Sequence, residues 1–193
     1  MALFTHPSYL RAKLRRKAFC RLGVGAVLHR DGVILNNQPS DSAISLGNHT
    51  HIRGELFTFG QGGKISLGNY CYVGEGTKIW SAVSVEIGDH VLIAHGCSIM
   101  DCLTHPIDPM QRRQHYRDII LAGHPSQIDL GEKPVKIEED AWIAAHSIIQ
   151  RGVTIGARSI VSAGSIVRED VPPDAIVAGN PARIVRMLNE HDR

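Results

Sequence analysis

The stretch VKIEEDAWIAAHSIIQRGVTIGARSIVSAGSIV, residues 135–167, decides the fold. Ile137, Ile143, Ile149, Ile155, Val161 and Val167 follow one another at a fixed six-residue interval. An α-helix repeats every ~3.6 residues and a strand about every 2, so neither alone gives this spacing. Six-residue self-similarity is the signature of a parallel β-helix built from hexapeptides. Each rung sends one aliphatic side chain into the core. Two residues before each of them stand Val135, Ala141, Ser147, Val153, Ser159 and Ser165, all small or β-branched, as a narrow coil requires at a second inward position. A sandwich of short strands does not repeat at one fixed offset.

The same interval appears upstream. Leu67, Val73, Ile79 and Val85 form one run, preceded by Ile65, Cys71, Thr77 and Val83. Ile87, Ile93 and Ile99 form another, preceded by Val85, Val91 and Cys97. The two runs are out of phase by two residues, so an insertion containing Trp80, Ser81 and Ala82 is expected between them. Leu46 and Ile52 form a fainter rung pair.

A chain of 193 residues suffices for one domain with a real core. Aromatic residues make up only 5%, so that core must be aliphatic, which suits a solenoid. A net charge of +2 is too balanced to point to nucleic acid. Cys20, Cys71, Cys97 and Cys102 show no paired spacing, and Cys71 and Cys97 fall on inward positions. They read as buried free thiols in a reducing compartment. No apolar run is long enough to span a membrane, and no apolar stretch with a cleavage site follows the basic N-terminus. A cytoplasmic location is the expectation.

Three segments follow. Residues 1–30 are expected to hold a basic helix, SYLRAKLRRKAFCRL over 8–22, with Ser8 as its cap and Arg11, Lys13, Arg15, Arg16, Lys17 and Arg21 around it. It could cover the open first coil, or make a weak contact with a membrane surface or an anionic glycan. Residues 31–175 form the solenoid, with coils from about Gly32 and one excursion, 101–134, where the period vanishes. A long polar loop held at both ends by a stiff scaffold is a good place for chemistry. It carries His105, Arg112, Arg113, His115, Tyr116, Arg117 and His124. Residues 176–193 form a tail in which Ala182–Leu188 is expected to be a short helix, with Arg183 and Arg186 on one face.

The C-terminal half resembles the hexapeptide-repeat acyltransferases. GVTIG (152–156), SAGSIV (162–167), DVPP (170–173) and GNPAR (179–183) follow one another at that family's spacing. THPIDP (104–109) followed by Arg112 and Arg113 looks like the start of the active-site loop of the galactoside and maltose O-acetyltransferases. The resemblance covers roughly residues 65–190 and implies an all-β, left-handed parallel β-helix; periodicity alone does not give the hand. It implies acetyl-CoA as co-substrate, a homotrimer with the donor in the cleft between subunits, no metal, and a sugar or glycan acceptor, as in cell-surface polysaccharide biosynthesis.

Carried over position by position, the resemblance makes His105 the general base. An acceptor hydroxyl is a poor nucleophile at neutral pH, and an imidazole can take its proton as it attacks a thioester and later return one to the thiolate. Asp101, Asp108 or a backbone carbonyl could orient the ring. Trp142 and Ala145 would flank the thioester, with a backbone N–H near Ala145 stabilising the oxyanion. Ala163 and Gly164 would offer backbone to the pantetheine arm, and Arg168, Arg183 and Arg186 would meet the CoA phosphates. Glu75, Trp80, Ser81 and His95 could line the acceptor site. The asparagine that the galactoside enzymes carry on an earlier coil is absent from Val73-Gly74-Glu75-Gly76, which leaves the acceptor side open.

Three other readings compete. An N-acetyltransferase acting on an amino sugar or drug shares the donor chemistry. A γ-class carbonic anhydrase has the same coil and needs three convergent histidines; His90 and His95 are five apart, but Met100 and Trp80 stand where the others would be sought. A non-catalytic hexapeptide protein would be expected to lose His105 or the arginines.

Overall fold

The six-residue interval is set by the corners. Asp140, His146, Gly152, Arg158 and Gly164 all have φ between +57° and +80°, in the left-handed region. One such residue per corner turns the chain from one short strand into the next, and three corners close a coil. The computed structural model describes residues 20–192. In it, three parallel sheets form the three faces of a β-helix. The first face stacks Arg21–Leu22, Ile44–Leu46, Ile65–Leu67, Val85–Ile87, Val135–Ile137 and Thr154–Ile155. The second stacks Val27–Leu28, His51–Ile52, Tyr72–Val73, Leu92–Ile93, Trp142–Ile143, Ile160–Val161 and Ala175–Gly179. The third stacks Val33–Leu35, Glu55–Thr58, Lys78–Ser81, Ser98–Met100, Ile148–Ile149 and Ile166–Val167.

Trp142 pairs with Ile160 and Ile148 with Ile166, so the last coils are three hexapeptides long. Both inward columns are buried: Ile137, Ile143, Ile149, Ile155, Val161 and Val167, and beside them Val135, Ala141, Ser147, Val153, Ser159 and Ser165. The inward serines bond within the turns, Ser159 Oγ to Gly156 O at 2.6 Å and Ser147 Oγ to Ala144 O at 2.8 Å. Buried hydroxyls therefore carry no unsatisfied cost. Outside, Asn48 and Asn69 continue the stack, each side-chain oxygen accepting a backbone N–H of the preceding coil at 2.8 Å.

Upstream coils are longer. Ile65 pairs with Val85 rather than with Val83, which stands 41% exposed. The run through Leu67, Val73 and Ile79 therefore stops at Ile79, and Val85 opens the next coil at the smaller inward position. The two extra residues form a corner at Ser81–Ser84, held by Asp101. Its two carboxyl oxygens accept from Ala82 N at 2.7 Å, Val83 N at 3.0 Å and Ser81 Oγ at 2.6 Å, and the residue is fully buried.

Four expectations are corrected. Coils are already formed at Arg21, upstream of Gly32, because Arg21–Leu22 pairs with Ser45–Leu46. The expected 8–22 helix lies outside the described residues up to position 19, and Arg21 and Leu22 are strand. The excursion is not all loop: Pro109–Ala122 is a helix, α1, capped by Asp108, whose carboxyl accepts from Gln111 N at 2.8 Å. The tail Ala182–Met187 is a strand, pairing antiparallel with Ala175–Gly179. Ile184 and Val185 are β-branched, and the last coil offers an unpaired edge that this hairpin covers. No helix among the described residues is long and apolar enough to cross a membrane.

Two substitutions test this frame. Ile143→Ala should lower unfolding free energy by about 2–5 kcal/mol, as for other large-to-small core changes. Asp101→Ala leaves the buried Ala82 N–H without its acceptor, while Ser81 Oγ keeps Lys64 O at 3.0 Å and Val83 is exposed, and should cost about 1–3 kcal/mol, with Asp101→Asn intermediate. Urea denaturation followed by circular dichroism measures both; an Asp101→Ala loss within error of zero would reject the corner role.

Candidate active site

The excursion leaves and rejoins the solenoid through a narrow neck. Leu103 N donates to Leu130 O at 2.9 Å, and Lys133 N to Asp101 O at 2.8 Å. Arg151 Nη1 donates to Gly131 O at 2.9 Å from the coil above. Beneath the neck lies a small apolar cluster of Phe59, Ala82, Cys102 and Leu130, with Phe57, Trp80 and Ile128 packed against it. His105 is thereby fixed to the third face although it sits on a loop.

His105 is exposed, and its Nδ1 lies 3.2 Å from Nδ1 of His115, on α1. His115 is only 3% exposed. Burial holds its pKa below the usual histidine value, the neighbouring His105 and His124 add to that, and Asp118 works the other way. The His124 ring centroid is 6.4 Å from that of His115, and His124 also meets Phe57 and Phe59 edge-on. Neither carboxylate expected to orient His105 does so: Asp101 is committed to the Ser81–Ser84 corner and Asp108 to the cap of α1. His115 was not assigned a role by sequence. The Asp-Pro start of a helix at 108–109 is the signal that would have placed it two turns in, facing back.

A cleft of about 230 Å³ opens beside Thr104 on the third face, lined by Met100, Leu103, Thr104, Ile148, Gln150 and Arg151. At the neighbouring corner, between the second and third faces, four residues named from sequence form one column. Gly96 N bonds Glu75 O, His146 N bonds His95 O and Gly164 N bonds Ala145 O, so Glu75, His95, Ala145 and Ala163 stack on successive coils. Ala144 N and His146 N are taken by Val161 O and His95 O, leaving the Ala145 N–H between them outside the ladder. A side chain on Gly164 would meet nothing within 4 Å, and its φ is +71°, so backbone is openly presented there.

Trp142 projects from the second face, 48% exposed, in one outward column with Leu92 and Ile160. Arg183 and Arg186 lie on the closing strand. Three residues apart on a regular strand they would face opposite ways, but the register shifts between them. Arg183 pairs with Ala178 and Arg186 with Ile176, so both take the outward side of that face. The bulge gives what the expected helix would have given. Arg186 forms a two-point pair with Asp192 at 2.7 and 2.8 Å, which holds that carboxyl well below the usual range; Arg183 lies 3.4 Å from Glu169. Arg168 is exposed just after the last third-face strand.

The remaining acceptor candidates divide. Trp80 lies in the aromatic group under the excursion and donates its Nε1–H to Glu55 at 2.7 Å. Ser81 is fully buried against Asp101 and presents nothing to a ligand. His90 stacks on Tyr70 at one corner, while His95 meets His146 at another, so the pair does not converge. Among the described residues, no three or more His, Cys, Asp or Glu side chains are grouped to hold a metal ion.

Comparison with known proteins gives the family. Residues 134–169 match the family model described as bacterial transferase hexapeptide (six repeats). The chain is 33% identical over 141 residues to the galactoside O-acetyltransferase of Escherichia coli strain K12, covering 70% of this chain and 60% of that protein. It thus spans a little under two thirds of the curated galactoside enzymes it matches. AntD, an N-acyltransferase from Bacillus cereus, shares the fold with a TM-score of 0.68 at 20% identity, over 94% of this chain and 89% of that one. A hexapeptide-repeat-containing acetyltransferase from Vibrio cholerae superposes with a TM-score of 0.58 at 30% identity, over 94% of this chain and 81% of its own. With that identity over nearly the whole solenoid, excursion included, the chain belongs to the hexapeptide-repeat acyltransferase family.

Proposed function

We propose that this chain transfers an acetyl group from acetyl-CoA to a sugar or glycan acceptor. The observation that carries the reading is an exposed histidine, pinned to a rigid face beside a cleft, in a chain of this family. The coil takes the family's left hand. The pantetheine arm runs along the corner of Ala145, Ala163 and Gly164, where small side chains and unladdered N–H groups allow close approach. The phosphates meet Arg183, Arg186 and Arg168; the ion pairs with Asp192 and Glu169 are exposed and give way to a stronger anion.

His105 takes the acceptor proton as the nucleophile attacks the thioester carbonyl. The Ala145 N–H stabilises the tetrahedral oxyanion, the C–S bond breaks, and His105 returns the proton to the departing thiolate. An amino-sugar nitrogen and a sugar hydroxyl fit this scheme equally. Similarity to an O-acetyltransferase and to an N-acyltransferase keeps both acceptors in view, with polysaccharide precursors as the substrate class. Glu75 and His95, in column with the donor residues, are the acceptor-side residues this arrangement favours. The apolar outward column of the second face, with Leu92 51% exposed beside Trp142, supports packing of further copies into a trimer.

His105→Ala should lower kcat by about 10²–10⁴-fold while calorimetric CoA affinity stays unchanged. The double change Arg183→Ala and Arg186→Ala should raise KM for acetyl-CoA by about tenfold or more and move kcat little, since each charge-assisted bond contributes about 1.5–3 kcal/mol. A screen of hydroxyl and amino sugars with acetyl-CoA, read by thiol release, decides the acceptor. Failure to bind CoA at millimolar concentration would overturn the reading.

A further inference from the structure

We propose that His115 is a positioning residue that fixes the tautomer of His105, its Nδ1 accepting the Nδ1–H of His105 so that the base nitrogen is Nε2. The inference rests on His105 being the base of the proposed transfer. It starts from the Nδ1–Nδ1 contact of 3.2 Å. Two ring nitrogens at that distance share one proton, and only one ring can donate it. With the shared proton on His105, Nε2 of His105 carries a lone pair and can take a proton from an acceptor. With it on His115, the His105 proton sits on Nε2 and the ring is idle as a base.

The charged state of the pair separates the two. When Nε2 of His105 takes the acceptor proton, the ring becomes an imidazolium whose Nδ1–H still donates to neutral His115. The alternative puts the positive charge on His115, which is enclosed, while His105 is exposed to solvent. Burying charge without a paired anion is unfavourable, so charge belongs on His105. The groups facing His115 agree. His105 from the loop and His124 from the segment after α1 oppose charge on it; Asp118, one turn on along α1, is the single carboxylate among its electrostatic neighbours and does not reverse the balance. Arg112, also on α1, is engaged with Pro106 O and Ile107 O at 3.1 and 2.7 Å, and so fixes the loop that carries His105.

The same contact explains why a helix stands inside the excursion. His115 is its one buried side chain. The helix places an acceptor behind an exposed imidazole, a task given to a carboxylate or a carbonyl in other acid–base pairs. Unlike a carboxylate, the neutral ring supports the imidazolium only by hydrogen bonding and adds no negative charge near an anionic donor.

The test compares wild type, His115→Leu and His115→Asn. Asparagine can present Oδ1 where Nδ1 stood and does not titrate. Nitrogen-15 correlation spectra of the labelled protein read the His105 tautomer without any substrate. Wild type and His115→Asn should carry the proton on Nδ1; His115→Leu should move toward Nε2–H. In turnover, His115→Leu should lose about 10–100-fold in kcat, the range for removing an orienting partner. Its KM for acetyl-CoA should hold, and the acid limb of its kcat profile should move to lower pH, because the imidazolium loses its acceptor. His115→Asn should recover kcat to within about threefold, a rescue a packing role would not give. An Nε2–H tautomer in wild type, or an unchanged tautomer and pH profile in His115→Leu, overturns the inference and leaves the transferase reading standing. A locked tautomer in a protein that acetylates no sugar overturns the transferase reading and leaves the lock.

Discussion

One backbone constraint governs this molecule: at each regular corner, one residue must pass through the left-handed region. Most side chains resist that conformation, at about 1–3 kcal/mol for a non-glycine residue. Here it is imposed on His49, Tyr70, His90, Asp140, His146 and Arg158 as well as on glycines. What outweighs it is the ladder between coils, in which nearly every corner residue finds a backbone partner one coil away. The corner also decides where side chains go. Positions equivalent in the repeat stand one above another, about 4.8 Å apart, so a single position generates a column. His49, Tyr70 and His90 become a ring stack, Asn48 and Asn69 a chain of caps, and Glu75, His95, Ala145 and Ala163 an edge.

Against that regular frame the candidate base stands where the repeat is broken. The inserted corner at Ser81–Ser84 and the excursion that begins at Asp101 are one irregularity, not two: the carboxyl that fills the first belongs to the residue that opens the second. The excursion then borrows the stiffness of the coils through its neck, and spends it on a short contact between two imidazoles. A side chain on a loop is ordinarily at the mercy of loop motion. His105 has a buried neighbour on a helix, a backbone neck and an aromatic floor.

The repeat, its inward positions and the place of the excursion were legible in the residues, because a column of equivalent side chains writes the same letter type every six positions. What was not legible depended on partners distant in sequence. Ala182–Met187 has a plausible helical spacing of arginines; only the free edge of Ala175–Gly179 makes it a strand, and only the register shift returns Arg183 and Arg186 to one side. Asp101 looked like a neighbour for His105 because it is four residues away, yet its three donors come from a corner some twenty residues earlier. His115 was one of several polar residues in an aperiodic stretch until a helix turned it inward. Ser81 read as a candidate for the acceptor side because nothing in the sequence shows the buried Asp101 carboxyl it bonds.

The neck of the excursion has a consequence for how such proteins diversify. Ser98 pairs with Ile148 as though the residues between them, 99–147, were an ordinary coil. The register of the coils therefore depends on the neck and on the few side chains that pack beneath it, not on the length of what lies beyond. The exposed parts of the excursion can vary in length and sequence while the neck, the His105–His115 contact and the coils, which contact only their neighbours, stay as they are. One scaffold can thus absorb variation at a single interruption, and the parts of the chain under the heaviest structural constraint need not change at all.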